Sequence, residues 1–190
     1  MSNFNPLRWG VLGCGSIANR VSNDVSKLPD HQIRAIASRD SSKAGAFAEK
    51  FSVPTQHLGA GAYESLVNDP EVDVIYVTTP HSFHHEHALL ALNAGKPVLC
   101  EKPFSLHLWE TKEMIDKAHE KNLFLMEGMW SILFPVFYKL RELIAQDAIG
   151  EIRIVEADFG YQAATYGACR TRGKESTTSP PSGINSFHGL

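Results

Sequence analysis

The sequence of 190 residues has few cysteines, no concentration of positive charge and no long apolar run. Its three cysteines, Cys14, Cys100 and Cys169, are too few and too far apart for a disulfide framework or a zinc knuckle. The net charge is −3 and the basic residues are scattered, which argues against a nucleic-acid-binding surface. No segment approaches the roughly 20 apolar residues of a membrane span, and the first residues lack the pattern of a secretory signal. These absences favour a cytoplasmic protein with a small-molecule partner.

The composition is that of a globular protein, with 43% hydrophobic and 21% charged residues. From residue 8 to residue 126, short apolar segments alternate with helical segments. Strands are predicted at 8–12, 33–37, 72–77, 98–100 and 123–126, with a further short element near Val53-Pro54. Helices are predicted at 16–27, 41–51, 63–67, 83–93 and 105–120. Such alternation requires parallel pairing through right-handed crossovers. The sequence therefore predicts an α/β fold, a Rossmann-like doubly wound parallel sheet over residues 1–126.

The pattern changes after residue 126. A helix is predicted over 134–146, and residues 151–159 alternate polar and apolar side chains as in a half-exposed antiparallel strand. We therefore expect an incomplete α/β second domain over 127–163. Residues 164–190 are rich in Gly, Ser, Thr and Pro without periodicity, which predicts a divergent, disordered tail.

A glycine-rich turn follows the first predicted strand. Residues 13–18, Gly-Cys-Gly-Ser-Ile-Ala, have the G-x-G-x-x-A spacing of dinucleotide-binding folds. Gly13 allows the tight turn, Gly15 lets the backbone approach a pyrophosphate at the helix N-terminus, and Ala18 keeps the helix close to the sheet. Glycine turns after strands are common, so the motif alone is weak. Its position between a strand and a helix favours dinucleotide binding.

Three polar residues, Ser38-Arg39-Asp40, end the second predicted strand. An acidic residue at this point binds a ribose 2′-hydroxyl, whereas an arginine suits a 2′-phosphate. Arg39 can bind phosphate through two N–H groups, and Ser38 can add a hydroxyl. The alternative is that Arg39 is a solvated loop charge, while Asp40 is expected to cap the next helix. We predict NADP as the cofactor rather than NAD.

Lys102 follows the fourth of these predicted strands, within Cys100-Glu101-Lys102-Pro103. Ligands of open α/β sheets bind outside the carboxyl ends of the strands, so Lys102 is expected to face the cofactor crevice. Its ammonium group can hydrogen-bond a substrate hydroxyl and exchange a proton with it. The alternative is an ordinary exposed lysine.

Four histidines and Glu86 lie within residues 81–87 and raise the question of a metal site. A zinc ion needs ligands that converge with tetrahedral geometry. At the start of a helix these side chains point around the axis instead. No metal site is predicted.

Four motifs in this order resemble the Gfo/Idh/MocA family of oxidoreductases. They are the glycine turn at 13–18, Thr-Pro-His-x-x-His at 79–84, Ala-Gly-Lys-Pro-Val-Leu-Cys-Glu-Lys-Pro at 94–103, and Phe-Leu-Met-Glu-Gly-Met-Trp at 124–130. The last, with Ser38-Arg39-Asp40, is most similar to the branch of dihydrodiol dehydrogenases and D-xylose dehydrogenases. The resemblance covers roughly residues 7–163.

The resemblance implies a Rossmann domain followed by an open-faced α/β domain, a nicotinamide cofactor and hydride exchange with a sugar or diol hydroxyl. It implies that Lys102 is the catalytic, substrate-binding lysine, that Glu101 lies near the nicotinamide, and that Trp130 lies at the substrate edge. Together the glycine motif and the resemblance predict these cofactor-binding residues: Gly13, Cys14, Gly15, Ser16, Ile17, Ala18, Ser38, Arg39, Thr78, Thr79, His81, His84 and Glu101.

The sequence departs from this family pattern at two points. Ile132 stands where the branch usually has an arginine, and the resemblance stops near Ala163 although family members continue well beyond it. We expect a C-terminally truncated chain whose tail is the product of a frameshift or a gene-model error, which the encoding DNA would test. Two functions stay open: an NADP-dependent dehydrogenase of the D-xylose or trans-dihydrodiol type, or a non-catalytic NADP(H)-binding fragment. A homodimer is expected for a full-length relative.

Overall fold

A computed structural model describes residues 5–158 of the chain. Contacts divide the chain into two compact units, Met1–Phe137 and Tyr138–Leu190. The predicted boundary near residue 127 and the second domain over 127–163 stay predictions, and the predicted tail, 164–190, lies outside the described residues. No helix in the described part of the chain is long and apolar enough to cross a membrane.

Strands and helices alternate along the described part of the chain. The strands are β1 (Leu7–Leu12), β2 (His31–Ser38), β3 (Thr55–Leu58), β4 (Val74–Val77), β5 (Val98–Cys100) and β6 (Leu125–Glu127). The helices are α1 (Ser16–Val25), α2 (Ser41–Phe51), α3 (Ala62–Val67), α4 (His84–Asn93), α5 (Leu108–Lys121) and α6 (Pro135–Ala145). Short 3₁₀ turns precede α4 at His81–Phe83 and α6 at Trp130–Leu133.

The six strands form one sheet in the order β3-β2-β1-β4-β5-β6, and every neighbouring pair is parallel. The chain builds the sheet outward from β1 to β3, then returns to the other side of β1 and builds outward again. The order therefore reverses between β1 and β4, which is the point where such sheets bind ligands. The predicted doubly wound parallel sheet is confirmed.

The two faces of the sheet bury separate hydrophobic cores, because successive side chains of a strand point to opposite faces. Leu12, Ile75 and Val77 belong to the core that packs against α3, α4 and α5. Val11 and Tyr76 belong to the core that packs against α1 and α2. All five side chains are almost completely buried, as strands covered on both faces require.

Helix α5 begins three residues later than predicted. His107 is its N-cap: its side chain accepts from the N3 backbone amide while the Glu110 carboxylate accepts from the His107 amide. This reciprocal pair is a capping box, which satisfies amides that the first helical turn leaves free. Residues 105–107 stay outside the helix, because its first turn is fixed by this cap.

The predicted strand at 151–159 is wrong over residues 151–158, which form no regular secondary structure, while residue 159 lies outside the described part of the chain. Its alternating pattern is present, but a strand needs a neighbour to pair its N–H and C=O groups. Within 138–158 no second strand supplies that partner. Ile154 and Val155 are consequently 78% and 81% exposed.

Gly10, in the buried part of β1, tests how tightly the core is packed. A Cβ atom there would lie 2.6 Å from Leu66 Cδ2 and 2.8 Å from Val72 Cγ1. Gly10→Ala should therefore lower the free energy of unfolding by about 1–3 kcal/mol, measured by urea denaturation. Gly45→Ala is the matched control, since Gly45 lies in α2 with nothing within 4 Å of the added atom. It should raise stability by about 0.5–1 kcal/mol. Equal effects of the two changes would contradict this account of the core.

Candidate cofactor and active site

A cavity of about 690 Å³ opens at the carboxyl ends of β1, β2 and β4. Three loops line it: the glycine turn after β1, the polar segment after β2 and the threonine segment after β4. The lining residues are Gly13, Cys14, Gly15, Ser16, Ile17, Ser38, Arg39, Asp40, Lys43, Tyr63, Thr78, Thr79, Pro80 and His81. Ten of these are predicted cofactor-binding residues, so the structure brings three separate sequence segments to one crevice.

The glycine turn is shaped by two glycines with different roles. Gly13 has φ +96°, and an added Cβ would lie 3.1 Å from Thr78 Oγ1, so both its backbone and its space exclude a side chain. Gly15 is the N-cap of α1 and faces open space, with no side chain hydrogen-bonded to the first amides of the helix. Those amides are free to bind an anion. Behind the turn, Ala18 is fully buried.

One of the charged residues after β2, Asp40, is the N-cap of α2. Asp40 Oδ1 accepts hydrogen bonds from the Ser42 and Lys43 amides at 3.1 Å. Bonding to Ser42, and then to the Lys43 backbone, lowers the pKa of Asp40 to about 2. The other carboxylate oxygen, Asp40 Oδ2, lies 3.3 Å from Lys43 Nζ, so Asp40 lines the cavity as the ion-pair partner of Lys43, and Arg39 is the second cation on this side. Lys43 was not among the predicted site residues, although it lies one helical turn beyond Arg39.

The loop after β4 holds the end of β1 and the start of α4 together. Thr78 donates its side-chain hydroxyl to Leu12 O at 2.9 Å, and the Thr79 hydroxyl lies 2.9 Å from His87 Nδ1. His84 does not line the cavity. It is fully buried, and its ring nitrogens lie 2.8 Å from Pro103 O and 2.9 Å from Thr79 O. His84 thus links the cavity loop to the loop that carries Lys102.

Lys102 is exposed beyond the end of β5, and the loop around it is fixed at several points. Its amide donates to Glu101 Oε2 at 3.2 Å, and the Phe104 amide donates to Glu127 Oε1 at 2.9 Å. Glu101 is buried and accepts a 2.6 Å hydrogen bond from the Tyr76 hydroxyl at Oε1. The Lys102 side chain is not among the residues that line the cavity, so its predicted role at the crevice stays a prediction.

Glu101 and Trp130 line a second cavity of about 510 Å³. Its floor is formed by Tyr76, Leu99 and Met126 of the sheet, and Ile17 lines both cavities. Trp130 is 59% exposed. The residues predicted for the nicotinamide end and the substrate edge therefore lie beside the first cavity and not within it.

The histidines of residues 81–87 diverge. His85 turns to α5, where it bonds Glu113 at 2.8 Å, and His87 packs inward against Thr79. His81 stays exposed at the cavity, where partial burial lowers its pKa. Within residues 5–158, no three His, Cys, Asp or Glu side chains are arranged to hold a metal ion.

Residues 7–129 match the Gfo/Idh/MocA profile, described as an oxidoreductase family with an NAD-binding Rossmann fold. The chain belongs to this family. It is 45% identical over 157 residues to trans-1,2-dihydrobenzene-1,2-diol dehydrogenase of Mus musculus, and 42% identical over 160 residues to that of Sus scrofa. These matches cover 82% and 83% of the chain but 46% and 47% of the relatives. The chain thus spans about half the length of the curated relatives it matches.

Solved structures agree with this assignment. A 3-ketoreductase from Actinomadura kijaniata, in complex with NADP and TDP-benzene, is 35% identical with a TM-score of 0.71. The match covers 78% of the chain and 45% of that protein. Scyllo-inositol dehydrogenase from Lactobacillus casei with NAD(H) has the same TM-score at 21% identity, covers 78% of the chain and 43% of that protein, and shows the shared fold. The chain therefore carries the NAD(P)-binding part of a Gfo/Idh/MocA oxidoreductase.

The bond from Tyr76 to Glu101 predicts a pH effect on stability. Burial, and then the bond to Glu101, raises the pKa of Tyr76. Above pH of about 10 the unfolded tyrosine loses its proton while the folded one keeps it, so the free energy of unfolding should fall as pH rises. Tyr76→Phe should lower the free energy of unfolding by about 1.5–3 kcal/mol at pH 7. It should also make the decrease above pH of about 10 less steep, because the proton that Tyr76 loses on unfolding no longer contributes. Urea denaturation of the wild type and of Tyr76→Phe from pH 7 to pH 11 measures both effects. If the free energies of unfolding of the two proteins changed in parallel with pH over this whole range, the role given to Tyr76 would be contradicted.

Proposed function

We propose that the chain is the cofactor-binding part of an NADP-dependent dehydrogenase that oxidises a sugar or vicinal-diol hydroxyl. The observation that carries this proposal is the charge at the end of β2. Arg39 and Lys43 line the cavity together with Asp40, whose carboxylate accepts hydrogen bonds from the first amides of α2 and pairs with Lys43 at 3.3 Å. A ribose 2′-phosphate would meet two cations there, where an NAD-selective site presents an acidic group to the 2′-hydroxyl.

The residues present fit a dinucleotide. The open space at Gly15 and the free amides of α1 suit a pyrophosphate, and the loop after β4 closes the opposite side of the cavity. Ser38, Arg39 and Lys43 would hold the adenosine end, with Thr78, Thr79 and His81 further along the crevice. When bound, the nicotinamide supplies hydride acceptance. The protein supplies the binding and orientation.

Lys102 is the group we assign to proton exchange with the substrate hydroxyl. Its ammonium is exposed, and its loop is fixed through Glu101, Pro103 and Phe104. A fixed acid–base group next to a hydroxyl accelerates proton transfer as the C–H bond breaks. Trp130 and the second cavity would form one edge of the substrate site. The names of the curated relatives support a vicinal diol as the substrate class.

The second candidate is a non-catalytic NADP(H)-binding fragment. The observation that favours it is the difference between the two cavities. The first cavity is built entirely within residues 13–81, whereas Trp130 is left largely exposed. A cytoplasmic location, and a homodimer for a full-length relative, stay predictions.

Titration of the purified chain with NADPH and NADH, followed by fluorescence, separates these candidates. We expect tighter binding of NADPH. Turnover with NADP⁺ is then assayed across pentoses, hexoses and dihydrodiols. Turnover that falls at least 100-fold in Lys102→Met, with NADPH affinity retained, supports the dehydrogenase and the role of the lysine. Binding without turnover supports the fragment, and binding of neither nucleotide contradicts both.

Gly15→Asp tests whether the glycine turn is the pyrophosphate site. An aspartate N-cap would accept from the free amides of α1 and raise stability by about a few tenths of a kcal/mol. The same carboxylate would occupy the anion position, so NADPH binding should weaken more than 100-fold. Calorimetric titration beside thermal unfolding measures the two effects, with Gly15→Ala as the control for the loss of glycine alone. A Gly15→Asp variant that binds NADPH like wild type would place the pyrophosphate elsewhere.

A further inference from the structure

The guanidinium group of Arg39 lies over an aromatic ring that none of the sequence motifs singled out. Arg39 Cζ is 5.4 Å from the centre of the Phe83 ring, which belongs to the 3₁₀ turn after β4. We propose that Phe83 is a specificity-determining residue, which holds Arg39 in position for the 2′-phosphate of NADP(H). This inference rests on the proposed NADP-dependent function.

The ring of Phe83 is itself held from behind. It stacks on His87 with centroids 5.6 Å apart and an interplanar angle of 15°. His87 is buried, and its Nδ1 lies 2.9 Å from the Thr79 hydroxyl. Tyr63 packs edge-on against the same imidazole at 4.5 Å. The Phe83 ring beneath Arg39 is therefore held in place by its contact with the buried His87.

Stacking suits an arginine that has to bind phosphate. A guanidinium that meets a ring through its face leaves its N–H groups, which lie in the plane, free to donate. Within residues 5–158, Arg39 forms no salt bridge that would hold it in another way. Ordering an exposed arginine costs conformational entropy, and a guanidinium already placed on Phe83 loses less on binding.

The role assigned to Phe83 predicts an effect on one nucleotide only. NADPH and NADH differ in the 2′-phosphate, so a residue that acts through Arg39 changes the affinity for NADPH and leaves that for NADH unchanged. A ring that stacked directly on the adenine would change both affinities by the same factor. Comparing the two nucleotides therefore distinguishes positioning of Arg39 from direct contact with the base.

The experiment measures the dissociation constants of NADPH and NADH by fluorescence titration of the 190-residue chain and its variants. Phe83→Leu should weaken NADPH binding about 2- to 30-fold, the range of a cation–π contact, and leave NADH binding unchanged. Phe83→Tyr keeps a ring and should retain the wild-type preference. In an Arg39→Leu background, which itself weakens NADPH binding, Phe83→Leu should have no further effect, because the group it positions is gone.

Phe51→Leu is the matched control. Phe51 also forms a cation–π contact, since Lys50 Nζ lies 4.9 Å from its ring centre, but Phe51 does not line the cavity. Its substitution should leave the nucleotide preference unchanged. If the wild type prefers NADPH, the role of Phe83 is overturned by a Phe83→Leu variant whose ratio of NADPH to NADH affinity equals that of the wild type, whether both affinities are unchanged or both fall by the same factor. A wild-type chain that prefers NADH or binds neither nucleotide overturns the proposed function instead.

Discussion

The meeting of β1 and β4 in the middle of the sheet is the constraint on which the rest of this structure depends. Both strands are buried on both faces, and the helices that follow them pack on opposite faces. No helix covers the carboxyl ends of the two strands, so a crevice is left there. Bonds from the Thr78 amide and hydroxyl to Leu12 O fix its width. The glycine turn is tight because Gly13 has to pass Thr78 at this point.

The electrostatics of the crevice follow from local helix capping. Asp40 lines the cavity, but its carboxylate accepts hydrogen bonds from the first amides of α2 and pairs with Lys43. Arg39 then lies on Phe83, and Lys43 reaches the same cavity from the first turn of the helix. Gly15 leaves the amides of α1 without a capping side chain, so they too are available to an anion. The two helix starts at the crevice thus differ, since a side chain caps the first amides of α2 and none caps those of α1.

The two cavities differ in how completely this chain builds them. The first is enclosed by three loops of the same sheet edge, while the second has a floor of sheet residues and an exposed Trp130 at its border. The buried bond between Tyr76 and Glu101 lies beneath that second cavity. Within residues 138–158, no strand pairs with the alternating segment 151–158. The first cavity therefore does not depend on the residues that border the second one, apart from Ile17, which lines both.

The sequence alone determined the doubly wound sheet, because continuous apolar strands that alternate with capped helices have few other ways to bury their surfaces. It also identified the glycine turn, Arg39 and Lys102, since each belongs to a local motif directly after a strand. Only the tertiary structure decided which residues from distant segments meet. Phe83 beneath Arg39 and Tyr76 beneath Glu101 are contacts across 44 and 25 positions of the chain. Local periodicity carries no information about such pairs, because they form only after the parallel strands have aligned their carboxyl ends.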